Sequence, residues 1–169
     1  MKILSKIYKI IKKSEPPYYY NYSLLTIIKK PIIKYLNVVI IPNIPFNSIR
    51  IFLYRMLGYK IGKHTFIGMK CYLDDLCREK IVIGNNVTIS YGVYFACHGK
   101  WQSHNELQIC DNSYIGMRAN IIARRSEGLI IGENAVVGAC TLVNDNIPPN
   151  GVAVGVPMKI LEKKRQEND

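Results

Sequence analysis

From Ile61 to Pro148 an apolar residue recurs at every sixth position. Ile61, Ile67 and Leu73 open the first three hexads; Ile83, Ile89 and Phe95 open the next, then Ile109, Ile115 and Ile121, then Ile131, Val137 and Val143. The step is six within each trio and 10, 14 and 10 between trios, so the phase slips by 4, 8 and 4 residues and then resumes. Glycine follows the opener in six of the twelve hexads, and the fifth place carries small or apolar residues such as Thr65, Cys71, Cys77, Val87, Ser113 and Ala135. Neither a 3.6-residue helix nor a two-residue strand alternation produces this period. A parallel β-helix of hexapeptide repeats does, with three short strands per triangular coil. One coil cannot bury its own interior, so coils must stack. The pattern predicts an all-β solenoid of four full coils and a partial fifth over Val152 to Pro157. Stacking puts His64, Asn86, Asn112 and Asn134 at one corner, where asparagine suits a left-handed turn.

The flanks read differently. Residues 2–13 place Ile3, Ile7, Ile10 and Ile11 at helical spacing opposite lysines, and Ser14 to Pro17 end that helix. Tyr18 to Tyr22 form a connector, and Leu24 to Leu36 is a second apolar-basic segment interrupted by Pro31. Pro42 and Pro45 bracket an extended link. Asn47 or Ser48 is then expected to cap a helix through Arg50 to Leu57, ended by Gly58 and closing the open end of the solenoid. Lys159 to Gln166 reads as a short C-terminal helix. The expected organisation is a basic, helical extension and cap over 1–60, the repeat domain over 61–157 and a tail over 158–169.

Charge adds a second theme. The net charge is +11, and residues 1–40 hold eight Lys against one acid, Glu15. Such a run is either a solvated face or an attraction to anionic lipid or to an acidic, lipid-linked substrate. A nucleic-acid recognition motif is missing. The early apolar run is broken by Lys2, Lys6 and Lys9, with neither a cleavage site nor eighteen uninterrupted apolar residues. The five cysteines sit at repeat places without CxxC pairing, which favours reduced thiols. The expected location is cytoplasmic, with peripheral contact at the inner face of the membrane through the basic N-terminus.

Candidate chemistry gathers where the phase slips furthest. His98 is the fourth residue of a third hexad, hence at an outward corner, just before the excursion Trp101 to Gln108. A neutral imidazole there suits a general base that takes a hydroxyl proton near neutral pH. His104, inside the excursion, is the rival base or an orienting group, whereas His64 in the first coil reads as structural. One coil beyond His98, the same corner place is Arg124, with Arg125 beside it.

The repeated Ile-Gly units, the histidine before an extruded loop, and the closing IPPNGVAVGVPMK resemble the left-handed β-helix hexapeptide-repeat acyltransferases. The resemblance spans residues 48 to 161 and is greatest to sugar O-acetyltransferases of the maltose, galactoside and capsule type. It implies direct transfer of acetyl from acetyl-CoA to a sugar hydroxyl in surface polysaccharide or glycan biosynthesis. It also implies a homotrimer with donor and acceptor held between neighbouring prisms, and no metal. Arg124 and Arg125 would then meet the donor's phosphates, Tyr114 stands where relatives place a Trp against the pantetheine arm, and Ala139 would let that arm lie close. Gly155, Pro157 and Lys159 match the family's cofactor-binding tail, while Asn144 and Asp145 replace its usual Thr-Lys. Trp101 and Tyr91 are the candidates for acceptor contact. Two other readings are a serine acetyltransferase-like enzyme, disfavoured by the short segment before the repeat, and a metal-binding trimer resembling γ-type carbonic anhydrases. The second needs three converging histidines, and His64 and His98 occupy different corners.

Overall fold

The computed structural model describes residues 8–15, 23–98, 104–123 and 127–161. All twelve hexad openers are buried in it. The strands fall into three sheets, visited in rotation. The first face stacks β1 (Lys60–Ile61), β3 (Ile81–Ile83), β6 (Leu107–Ile109) and β9 (Leu129–Ile131). The second stacks β2 (Phe66–Ile67), β4 (Thr88–Ile89), β7 (Tyr114–Ile115), β10 (Val136–Val137), β12 (Val152–Val154) and β13 (Lys159–Leu161). The third holds β5 (Tyr94–Ala96), β8 (Asn120–Ile122) and β11 (Leu142–Val143). The register is the one the hexads require, with Ile61 beside Ile83, Ile83 beside Ile109, and Ile109 beside Ile131. All pairings are parallel except β12 with β13. Four coils are thus strand-paired on the first two faces. On the third, the first coil contributes only the bridge of Tyr72 to Tyr94. The architecture is a left-handed parallel β-helix.

Two of the three corners repeat without interruption. His64, Asn86, Asn112 and Asn134 all have φ between 54° and 59°. The Asn86 side-chain amide donates to Asn112 Oδ1 at 3.2 Å. The second corner is left-handed as well, at Lys70, Gly92, Arg118 and Cys140, with φ from 54° to 70°. Residue type does not announce it there. A left-handed residue with a Cβ costs about 1–2 kcal/mol. The stack offsets this because from the second coil on each such N–H donates to the coil below, as Asn112 does to Asn85 O at 2.9 Å and Cys140 to Met117 O at 2.8 Å. Glycine is required where coils touch most closely, since a Cβ on Gly62 would sit 2.4 Å from the Gly84 carbonyl. The third corner carries all three phase slips.

By its contacts the chain divides into Met1–Leu36 and Asn37–Asp169. In the first unit, residues 8–12 are helical and α1 (Leu24–Tyr35) is capped by the Ser23 side chain, which accepts from Thr26 N at 3.1 Å. Pro31 does not interrupt α1; it only removes the bond its N–H would have donated one turn back.

In the second unit, α2 (Asn47–Met56) closes the first coil, and Gly58 ends it in a left-handed turn. Neither Asn47 nor Ser48 is the cap; Phe46 holds that place without a side-chain bond. Asn47 instead pairs with the exposed edge of β2, donating to Thr65 O at 3.1 Å and accepting from Ile67 N at 3.0 Å. Arg55 donates to Ile61 O and Gly62 O at 3.0 and 2.7 Å, and buried Arg50 donates to Ile67 O and Ile44 O. Apart from Ile44 O, the carbonyls so occupied are ones that a further coil would otherwise have used. The link over Ile41–Asn43 is a 3-10 turn rather than extended chain. Residues 159–161, expected to open a terminal helix, form β13 because their backbone completes the edge of β12.

Candidate active site

The third corner of the second coil holds a buried carboxylate against an exposed imidazole. His98 follows β5, and its side chain is 40% accessible, whereas that of Asp74 is fully buried. His98 Nδ1 lies 2.5 Å from Asp74 Oδ2. The same oxygen accepts the backbone N–H groups of Cys97 at 2.7 Å and His98 at 3.0 Å, and Oδ1 accepts Leu76 N at 3.1 Å. A carboxylate taken out of water is tolerated only when its lone pairs are satisfied in this way. With Asp74 accepting, the imidazole carries its proton on Nδ1 and presents the Nε2 lone pair outward. A ring held in this way could take up a proton at Nε2.

Asp74 is itself anchored from below. Buried Asn37 donates to Leu73 O at 2.6 Å. The Tyr59 hydroxyl lies 2.9 Å from Asn37 Oδ1, 3.0 Å from Leu73 O and 3.2 Å from Asp74 O. The adjacent thiol of Cys97 is pushed well above its ordinary range by burial and by Asp74, so it is no nucleophile at neutral pH. Sequence reasoning gave the first coil no chemistry beyond His64 and missed Asp74. A signal existed: one coil below His98, 22 residues earlier in register, is Leu76, and Asp74 lies two places away.

His104 faces His98 across an antiparallel bridge, reinforced by Asn105 N donating to Cys97 O at 2.8 Å. Lys80 Nζ donates to the His104 carbonyl at 2.7 Å, so the first phase slip props the second. The imidazole of His104 has no carboxylate comparable to Asp74 among the contacts described. Trp101, Arg124 and Arg125 lie outside the described residues. The register of β5, β8 and β11 sets Asn146 two coils beyond His98.

The remaining candidates lie elsewhere on the prism. Tyr114 projects from the second face, 45% exposed, its hydroxyl 3.2 Å from Ser90 Oγ. Tyr91 and Ala139 are exposed at the corner between the second and third faces; Gly155 and Pro157 are exposed between β12 and β13, and Lys159 is exposed on β13. In a three-sided prism the second face is opposite the corner between third and first faces, where His98 sits. One protomer therefore does not bring these residues to its own His98. His64, at yet another corner, is also separate from His98, and among the described residues there is no group of three or more His, Cys, Asp or Glu that could hold a metal.

An open groove of about 790 Å³ runs along the first face, lined in part by Gln108, Ile130, Asp111, Glu133 and Asn146. It reaches the His98 corner only through Asn146. Asp111 is held below the usual carboxylate range by hydrogen bonds from Asn85, so that side of the groove is anionic and unsuited to phosphates.

The architecture is that of the hexapeptide-repeat β-helix proteins, and the comparisons narrow it to acetyltransferases. No family model matches the sequence. The chain is 32% identical over 127 residues to "Putative acetyltransferase YvoF" of Bacillus subtilis (strain 168), covering 72% of this chain and 71% of that protein. Among solved structures it resembles the hexapeptide-repeat acetyltransferase VCA0836 of Vibrio cholerae, with 25% identity, a TM-score of 0.67, and coverage of 85% and 95% of the two chains. Another structure of that Vibrio protein is a complex with acetyl-CoA. A maltose O-acetyltransferase from Clostridium difficile 630 matches with 26% identity, a TM-score of 0.65, and coverage of 83% and 89%. The chain belongs to the hexapeptide-repeat acetyltransferase family.

Proposed function

We propose that this acetyltransferase moves acetyl from acetyl-CoA to a sugar or glycan hydroxyl, with His98 as general base. The observation that carries the reading is the Asp74–His98 pair: a buried carboxylate holds Nδ1, and Nε2 is free to take the acceptor's proton. Acetyl-CoA supplies an activated thioester carbonyl. His98 removes the hydroxyl proton as the oxygen attacks and returns it to the departing thiolate. Asp74 stabilises the imidazolium in between without leaving its own bonds.

The opposed placement of His98 and Tyr114 favours a homotrimer in which one protomer's His98 corner meets a neighbour's second face. A flat prism face holds no deep pocket of its own, and a cleft between prisms supplies one. There Tyr114, Ala139, Gly155, Pro157 and Lys159 would hold the donor, with Arg124 and Arg125 for its phosphates and Trp101 and Tyr91 for the acceptor. Ala139 is small and exposed, and Lys159 supplies a cation that the acidic groove on the first face lacks.

The test is a steady-state assay with acetyl-CoA against maltose, galactosides, oligosaccharides and serine, on wild type and His98→Ala. Turnover of a saccharide, lowered at least ~100-fold in the variant with the fold intact, is the expected result. Turnover of serine alone would replace the acceptor, and full activity in the variant would remove the base.

A further inference from the structure

The cap helix α2 has two unlike faces. Arg50, Ile51 and Tyr54 are buried against the first coil. Phe46, Ile49, Phe52 and Met56 form a stripe on the other side, 65%, 45%, 61% and 68% exposed. Phe66, on the strand that α2 packs against, is 46% exposed. Four large apolar side chains in line on one helix face are uncommon on a surface that meets only water. The charge around them is one-sided. Residues 16–73 contain no Asp or Glu at all, while Lys60, Lys63 and Lys70 are exposed at the rim of the coil that α2 closes. Within the unit that carries α2, residues 37–73 hold Arg50, Arg55, Lys60, Lys63 and Lys70 and no acid.

We infer that the outer face of α2 docks onto an anionic lipid bilayer, with Phe46, Ile49, Phe52 and Met56 entering the headgroup boundary and the rim lysines meeting lipid phosphates. An apolar stripe bordered by lysines is the pattern of an interfacial helix. A second copy of the chain is the less suitable occupant, because it would bring two lysine-rimmed patches together. The inference goes beyond the basic N-terminal segment, since it places the contact on the solenoid's own cap. It is independent of which hydroxyl is acetylated.

The experiment is co-sedimentation of the full chain with vesicles of phosphatidylcholine alone and of phosphatidylcholine with phosphatidylglycerol. Wild type should bind the anionic vesicles, less so at high salt. The variant Phe46→Ser/Ile49→Ser/Phe52→Ser should bind about tenfold more weakly or worse, with unchanged melting and acetyl transfer. As a second measurement that tolerates instability of that variant, Phe52→Trp should show a blue-shifted difference emission, relative to wild type, on addition of anionic vesicles. Equal binding by wild type and variant, no binding by wild type, or no emission shift would overturn the inference. So would a change of oligomeric state in the variant with vesicle binding intact, which would assign the face to a second copy.

Discussion

His64 and His98 stand at corners of the same prism, both exposed and both on short turns. His64 lies on the first corner, in a left-handed turn with φ of 55°, at the foot of a ladder continued by Asn86, Asn112 and Asn134. Its place is defined by backbone geometry, which Asn fills as well. His98 lies on the third corner, the one where the repeat is broken three times, and a buried carboxylate holds its ring. The regular corners conserve the coil, and the irregular corner is free to depart from it. Chemistry is therefore expected where periodicity fails, provided the failing segment is tied back into the core as Asp74 ties His98.

The difference is broken most directly by exchanging roles. His98→Ala should lower acetyl transfer at least ~100-fold, while His64→Asn should leave turnover unchanged. Comparable losses in both would mean the corners are not functionally distinct. Asp74→Asn should cost roughly 10- to 100-fold in kcat with a smaller change in the KM for acetyl-CoA, because it disturbs the base rather than donor binding. A pure KM effect would reassign Asp74 to structure.

The buttress under Asp74 gives a stability contrast between two buried tyrosines. Tyr59→Phe removes a hydroxyl shared by Asn37, Leu73 and Asp74 and should cost about 1–3 kcal/mol in chemical denaturation. The Tyr54 hydroxyl is buried without a hydrogen-bond partner among the described residues, so Tyr54→Phe should be neutral or slightly stabilising. Equal costs would undo the distinction. A smaller effect concerns alkaline pH. Burial pushes Cys71 and Cys77 up to about 11 from an ordinary 9.0. Unfolded thiols ionise first, so stability should decline as pH rises from about 9 through about 11, monitored by denaturant midpoints. A flat profile there would contradict the burial of these thiols.

The periodicity made the coils legible because each inward place demands an aliphatic residue and each slip leaves a countable gap. It made the first corner legible because Asn signals a left-handed turn, whereas Lys70, Arg118 and Cys140 take the same conformation without signalling it. There the stacked carbonyl below decides, and residue type does not. His98 was readable from its position before the longest excursion. Asp74 was readable only through the 22-residue register that sets it two places from the position one coil below His98, since by type it looks like any polar residue at a turn. Asn47 had the spacing of a helix cap, but an unpaired strand edge nearby claimed its amide. The apparent C-terminal helix lost to the same kind of claim, the free edge of β12.

The account rests on Asp74 fixing the His98 imidazole with its proton on Nδ1 and Nε2 available. Nitrogen-15 NMR of histidine-labelled protein above the imidazole titration range reads this directly, with His64 in the same sample as the internal contrast. The expected result is a single Nδ1–H tautomer for His98, lost in Asp74→Asn, beside averaged tautomer shifts for His64. A proton on Nε2 of His98, or the same averaging at both histidines, would contradict the assignment of His98 as the base.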